Sequence, residues 1–277
     1  MRLLLPATGL VCVALCAPLH ASILSVLHLE PGSIRIFETY VAQFQKNVAA
    51  SFEQSGRMWI DNGGSCCKPD GPFASGKPVV EARENADIEG GSIHHFSGAI
   101  HIPGGSIADV RHIMEDYSNY PRYFKPDVAK GSGTLNPDST AADEHFTSHI
   151  SIAESTLWMG VSFDCIYDTH YRTLDLHRWE SVSSASSIRE WRDPKDSGKG
   201  FYPEGDDHGF LWRTQTFWFA RESNGGVDVE LDSITLSRPI PTGFAWWGSK
   251  RTHDAVEKML RDMKTAVGNL KSQSAKS

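Results

Sequence analysis

Cysteine is scarce in this chain of 277 residues, with 5 in all, and no two are spaced as C-x-x-C. The usual ligand spacing of a structural zinc or dithiol redox site is therefore missing. Lysine and arginine total 27 against 34 aspartates and glutamates, a net charge of −7, and the cations form no block. Nucleic acid and anionic membrane surfaces are thus excluded as the main partner. After the first 21 residues no apolar run is long enough to cross a bilayer. There is no nucleophile elbow, Ser-His-Asp order, Gly-rich phosphate loop or zincin helix. The best-marked hydrolase and nucleotide-using classes are excluded on that ground. No internal repeat or low-complexity block is present apart from a polar tail, Lys271 to Ser277, expected to fray.

The start has the pattern of an export signal. Arg2 gives a positive head, Leu3 to Leu15 are mostly apolar, and small residues follow at Ala17 and Ala21. Cleavage is expected near Ala21, although Leu19-His20-Ala21 departs from the small-x-small rule; an uncleaved anchor is the alternative. The mature chain is expected to be secreted or periplasmic. It would keep Cys66, Cys67 and Cys165, an odd number, and adjacent cysteines rarely bridge. A bond from Cys66 or Cys67 to Cys165 is the expected pairing if one forms, and a soft-metal site made by the same three is the weaker reading.

Residues 22–89 read as an N-terminal extension. Ile34, Phe37, Val41, Phe44, Val48 and Phe52 recur at steps of three and four, predicting an amphipathic helix over about 33–54. Its stripe calls for burial, either on the rest of the chain or on a detachable partner. Residues 61–78, rich in Gly, Pro, Ser, Asp and Asn, read as a loop.

The main domain is expected over 90–270. A strand over 92–102 is stopped by Pro103-Gly104-Gly105. Ser106 then caps a short helix carrying Ile107, Val110, Ile113, Met114 and Tyr117. A second helical turn spans Tyr120 to Phe124. Strands are predicted over 127–134, 144–153, 159–174, 177–191, 208–221 and 226–238. In the last, Val227, Val229 and Leu231 alternate with Asp228, Glu230 and Asp232, which predicts an antiparallel sheet with one wet face. In the strand before it, Phe210, Trp212, Thr214, Thr216 and Trp218 are expected to share a face. A final helix over about 249–270 carries an apolar stripe, Val256, Met259, Leu260, Met263, Val267 and Leu270.

This order, together with Gly105-Ser106-Ile107-Ala108-Asp109-Val110 leading to Asp116-Tyr117-Ser118-Asn119-Tyr120-Pro121, resembles the START-like (SRPBCC) superfamily. Ile234 to Pro241 is similar to that family's end of the last strand, and His208 to Arg213 to an exported, uncharacterised bacterial subgroup. The resemblance implies an α+β helix-grip fold over about 90–270, a curved antiparallel sheet around a long C-terminal helix. It also implies an apolar ligand held between the two. On that basis the expected walls are Tyr120, Tyr123, Phe163, Tyr167, Trp212, Thr214 and Trp218, with Met259 and Met263 from the helix. Aromatic and thioether surfaces suit a large apolar guest, although each of these residues could equally be core.

The family hosts carriers and enzymes alike. The leading expectation is a non-catalytic binder or carrier of a lipid, isoprenoid or polyketide-like molecule, with no cofactor. The alternatives are a cyclase or dehydratase using Asp116, His112, Arg172, Glu190 or Arg213, and a protein-interaction module. No metal site is expected. His94 and His95 point to opposite faces, and His145 and His149, roughly 13 Å apart along a strand, are too far apart to share an ion. For these and for His170 a structural or solvent-exposed role is expected.

Overall fold

The computed structural model describes residues 25–62, 71–156, 159–223, 225–239 and 245–274. The expected export signal and the Cys66–Cys67 pair lie outside the described residues. Strand β1 (Leu27–His28) pairs with β8 (Asp206–Asp207) in a small ribbon. Strands β2 (Val79–Ile88), β3 (Gly91–Pro103), β4 (Val128–Leu135), β5 (Asp143–Thr156), β6 (Met159–Asp175), β7 (Arg178–Glu190), β9 (Arg213–Ser223) and β10 (Gly226–Ser237) form one eight-stranded sheet. Its order is β2-β3-β10-β9-β7-β6-β5-β4, antiparallel at every step.

Helix α1 (Pro31–Phe44) runs through a π turn at Gln45–Ala49 into α2 (Ala50–Ser55). Helices α3 (Ile107–Glu115) and α4 (Tyr120–Tyr123) carry the chain from β3, beside one edge of the sheet, to β4 at the other. The start of α3 is set by a capping box. The Ser106 hydroxyl accepts from the Asp109 amide, and the Asp109 carboxylate accepts from the Ser106 amide. Helix α5 (Ala245–Ser274) closes the chain. This is the α+β helix-grip architecture that the START-like resemblance implies.

Each face of the sheet is covered in part. On the inner face, Val256, Leu260, Met263 and Val267 of α5 are buried against Phe96, Ile100, Val229, Leu231 and Trp218. Helix α5 lies mainly over β3 and β2, with a smaller contact on β10. The seam is tight at Gly98, where an added Cβ would stand 2.7 Å from Val256 Cγ1 and 2.8 Å from Leu260 Cδ1. At the opposite edge, a Cβ on Gly133 would fall 2.2 Å from Tyr117 Cδ2, so this glycine lets the turn after α3 press onto β4.

The outer face departs from expectation. Asp228, Glu230 and Asp232 alternate outward as predicted, yet all three are buried. The N-terminal segment covers them, with Phe37, Phe44 and Phe52 packed against Phe217, Phe219, Ile234 and Leu236. The stripe of α1 and α2 is therefore used within the chain. Each acid under it has a partner. Glu230 accepts from the Trp59 amide at 2.8 Å, Asp232 accepts from the Ser97 hydroxyl, and Asp228 pairs with His101 at 2.8 Å. Burial, with the Asp232 charge beside it, pushes the Glu230 carboxyl well above its ordinary range.

Other boundaries also move. A strand, Val79–Ile88, falls inside the segment read as an extension and belongs to the main sheet through its pairing with β3. Its run Glu81 to Asp87 is polar because it is an edge strand, and that hid it. Strand β9 begins at Arg213, because Gly209 in the left-handed region (φ 69°) and a bend at Trp212 precede it. The tail expected to fray from Lys271 is helical as far as Ser274.

The seam makes a direct prediction. Gly98→Ala should destabilise the protein by about 1–3 kcal/mol through overpacking against α5. Gly268→Ala, on the same helix with nothing within 4 Å, should instead stabilise it by about 0.8–1 kcal/mol. Denaturant titration of the two variants measures both signs.

Candidate functional site

The half of the inner face away from α5 is paved with small hydroxyls. Register places Phe96 opposite Ser233, Ser233 opposite Thr216, Thr216 opposite Ser183, Ser183 opposite Thr169, and Thr169 opposite Phe146. One row of hydroxylic side chains thus crosses β10, β9, β7 and β6, with a phenylalanine at each end. A second pair, Thr235 opposite Thr214, lies beside it. Ser233, Thr235, Thr216, Ser183 and Ala185 remain only half-buried although their strands are central, and Tyr167, Ile150 and Met259 are half-buried around them. A filled core above central strands would bury such positions, so α5 leaves this strip of the inner face accessible.

The strip has an apolar wall on each side. On the α5 side stand Trp218, Met259, Met263 and Phe96. On the other, Val161, Phe163, Cys165 and Ile188 are buried together, with Tyr167, Phe210 and Leu211 against them. Thr169 and Ser183 hydrogen-bond to each other at 2.7 Å. Next along β7, Ser181 Oγ and Trp179 Nε1 are buried with no hydrogen-bond partner among the described residues. Burial pushes the Cys165 thiol up to about 12, which keeps it an unreactive apolar wall group.

One end of the strip is closed by tyrosines. Tyr120 and Tyr171 donate to the Met114 carbonyl at 2.6 and 2.8 Å, and the Tyr117 and Tyr171 hydroxyls lie 2.7 Å apart. Burial drives the Tyr120 and Tyr171 phenols well above their ordinary value, so both are neutral. Tyr123 donates to Asp116 at 2.8 Å. Against the push of burial, hydrogen bonds from Tyr123, Asn119 and Ser118 hold the Asp116 carboxyl below its usual value.

Most of the residues expected to wall a ligand fall around this strip. Thr214, Trp218, Met259, Met263, Phe163 and Tyr167 stand on it or beside it, and Tyr120 and Tyr123 close its end. Trp212 does not. It packs into the outer-face core, and its indole donates to Asp207 at 2.9 Å. The bend before β9 breaks the alternation that would have turned it inward. The pairing of hydroxyls across strands was missed, because alternation shows which residues share a face and not which strands are neighbours.

Of the groups considered for proton chemistry, Asp116, Arg172, Glu190 and Arg213 hold partners within the chain. Arg172 is ion-paired between Glu53 and Glu180, and Arg213 donates to the Trp212 carbonyl at 2.7 Å. Glu190 accepts from the ring and the amide of His208 at 2.5 and 3.1 Å. Beside it, Asp207 accepts from the Gly209 amide at 2.6 Å. Arg238 donates to the His208 carbonyl at 3.1 Å and the Ser25 carbonyl at 3.2 Å. A separate open groove of about 630 Å³ lies at the β4 end, lined in part by Lys130, His149, Ser151, Asp164 and Trp191. None of the expected wall residues lines it.

No protein-family model matches the chain, and no curated protein matches it. Among solved structures, it is similar to a STAR-related lipid transfer protein from Xanthomonas axonopodis, at 16% identity and a TM-score of 0.44, over 68% of this chain and 98% of that one. It is similar to human StAR-related lipid transfer protein 5 at 11% identity and a TM-score of 0.43, over 84% and 99%. A third likeness, at 10% identity and a TM-score of 0.40, is to the di-domain ARO/CYC StfQ of the steffimycin biosynthetic pathway, over 65% and 52%.

The buried knot at Asp207 makes stability depend on pH. Burial, then the Glu190 charge, raises the Asp207 carboxyl from 3.8 to about 6, and the hydrogen bond to Glu190 raises His208. Both groups therefore hold more protons folded than unfolded, and stability must fall as pH rises through their folded values. Asp207→Asn keeps the acceptor oxygen and removes the carboxyl titration. Its unfolding free energy should decline less than that of the parent between pH 4 and pH 7 in denaturant titrations.

Proposed function

We propose that this chain binds or carries an apolar small molecule of lipid, isoprenoid or polyketide-like chemistry, seated on the inner face of the sheet beside α5. The observation that carries the reading is the strip of half-buried hydroxyls on central strands, flanked by aromatic and thioether walls. Apolar surface set against the half-buried Tyr167, Ile150 and Met259 would supply affinity at roughly 25 cal/mol per Å² before ordering costs. The hydroxyl row would take a polar group of the same molecule, which suits an amphiphile better than a pure hydrocarbon.

The sequence resemblance to START-like proteins points the same way. The alternative on this scaffold, a cyclase or dehydratase, is disfavoured because the carboxylates and arginines considered for it already hold partners within the chain. A protein-interaction role for the N-terminal helix is disfavoured because its apolar stripe is packed on the sheet. We further propose that the protein works outside the cytoplasm after cleavage near Ala21, a reading supported by the leader's composition and tested by N-terminal sequencing of protein from its own host.

Native mass spectrometry of protein purified from its host tests the binding role. The expected result is added mass that organic extraction removes. In Ser183→Trp, which fills the strip from a half-buried position, that added mass should be lost while the melting temperature stays within a few degrees. Equal masses before and after extraction would count against the proposal.

A further inference from the structure

We propose that His145, Asp168 and His170 form a binding site for a borderline divalent transition cation such as Zn²⁺, on the outer face of the β5–β6 hairpin. No spacing along the chain announces this set. It is made by strand pairing, which places His145 directly opposite His170 and Asp168 two residues away on the same face. One donor atom from each of the three lies within 4.8 Å of the others. The imidazoles are stacked, with centroids 4.4 Å apart and planes 8° from parallel.

The outer partners of the rings single out this cluster. The Nδ1 atom of His145 lies 2.9 Å from an Asp138 oxygen, and Nδ1 of His170 lies 3.0 Å from an Asp143 oxygen. With Nδ1–H donated to those carboxylates, each ring turns Nε2 toward the third acid. His145 Nε2 is 2.9 Å and His170 Nε2 3.7 Å from the oxygens of Asp168. Metal-bound histidines are held in this way, the second ring nitrogen donating to a carboxylate and the first left to the ion. A lone pair facing a carboxylate oxygen is repulsive, and a cation between them removes the repulsion. One divalent cation would serve both nitrogens and Asp168 together.

Zinc sits about 2.0–2.2 Å from nitrogen and oxygen ligands, so tetrahedral donors are roughly 3.4 Å apart. The side chains of His170 and Asp168 are 41% and 48% exposed, so both are free to shift, the His170–Asp168 distance closing from 3.7 Å and the His145–Asp168 distance opening from 2.9 Å. Imidazole with carboxylate suits Zn²⁺, Ni²⁺ or Cu²⁺ better than Mg²⁺ or Ca²⁺. Three protein ligands would leave a position open to water or a further ligand.

The test is calorimetric titration of Zn²⁺ alone into the metal-free full chain, repeated with Cys66→Ser/Cys67→Ser to remove those thiols. One ion per chain is expected in both proteins. His145→Ala, His170→Ala and Asp168→Asn should each weaken binding at least tenfold, and Asp138→Asn by less. His149→Ala, on the same strand, should leave it unchanged. Melting curves in chelator certify that each variant is folded. No saturable binding, the result if protons alone fill the cluster, overturns the proposal, as does binding that survives both His145→Ala and His170→Ala.

Discussion

The close approach of α5 to β3 is the contact on which the rest of the arrangement depends. Because residue 98 is glycine, Val256 and Leu260 descend almost to the backbone of the strand. That draws the helix toward the β2–β3 side of the sheet. A helix seated there cannot also lie flat on β7 and β6. The strip around Thr216 and Ser183 is the consequence: inner-face positions with strands on both sides and, among the described residues, no helix pressed onto them. Affinity for a guest would then come from surface the fold leaves uncovered, with no pore to build.

The outer face is constrained in the opposite sense. Aspartates and a glutamate on β10 point into a layer closed by α1, α2 and the turn at Trp59. Buried charge is costly unless neutralised or hydrogen-bonded, and here both remedies are used. Burial shifts the Glu230 carboxyl well up toward its neutral form, and the Tyr40 hydroxyl, the His95 ring and the Asp232 carboxylate form a hydrogen-bonded chain with links of 2.8 and 3.2 Å. The N-terminal segment is therefore bonded to the sheet through polar groups that only fit when it is in place. With the β10 and β9 part of that face closed, the inner strip is where all the expected wall residues but Trp212 gather.

Much of the fold could be read from periodicity. The stripes of α1 and α5, the capping pair Ser106 and Asp109, and the alternation in β6 and β10 each named an element within a few residues. Failures have specific causes. Strand β2 is polar because it lies on an edge. Trp212 turned outward because Gly209 and a bend interrupt the alternation. Asp228, Glu230 and Asp232 looked solvated because charge on one face of a strand usually is, and a covering layer from a distant segment leaves no local trace. The candidate sites were legible residue by residue and not as sets. The faces of Thr214, Trp218, Met259 and Met263 could be read, and the START-like resemblance named them as walls, but the hydroxyl row and the His145–His170 pair exist only through strand neighbours.

The central claim is that the strip between α5 and the β6–β7 half is a seat for a non-protein molecule. A crystal structure of the protein purified from its own host, without organic solvent, tests it most directly. Continuous non-protein density lying against Thr216, Ser183, Ser233 and Met259 is the predicted result. Density there accounted for by the protein's own side chains, packed against those hydroxyls with no space between, would contradict it.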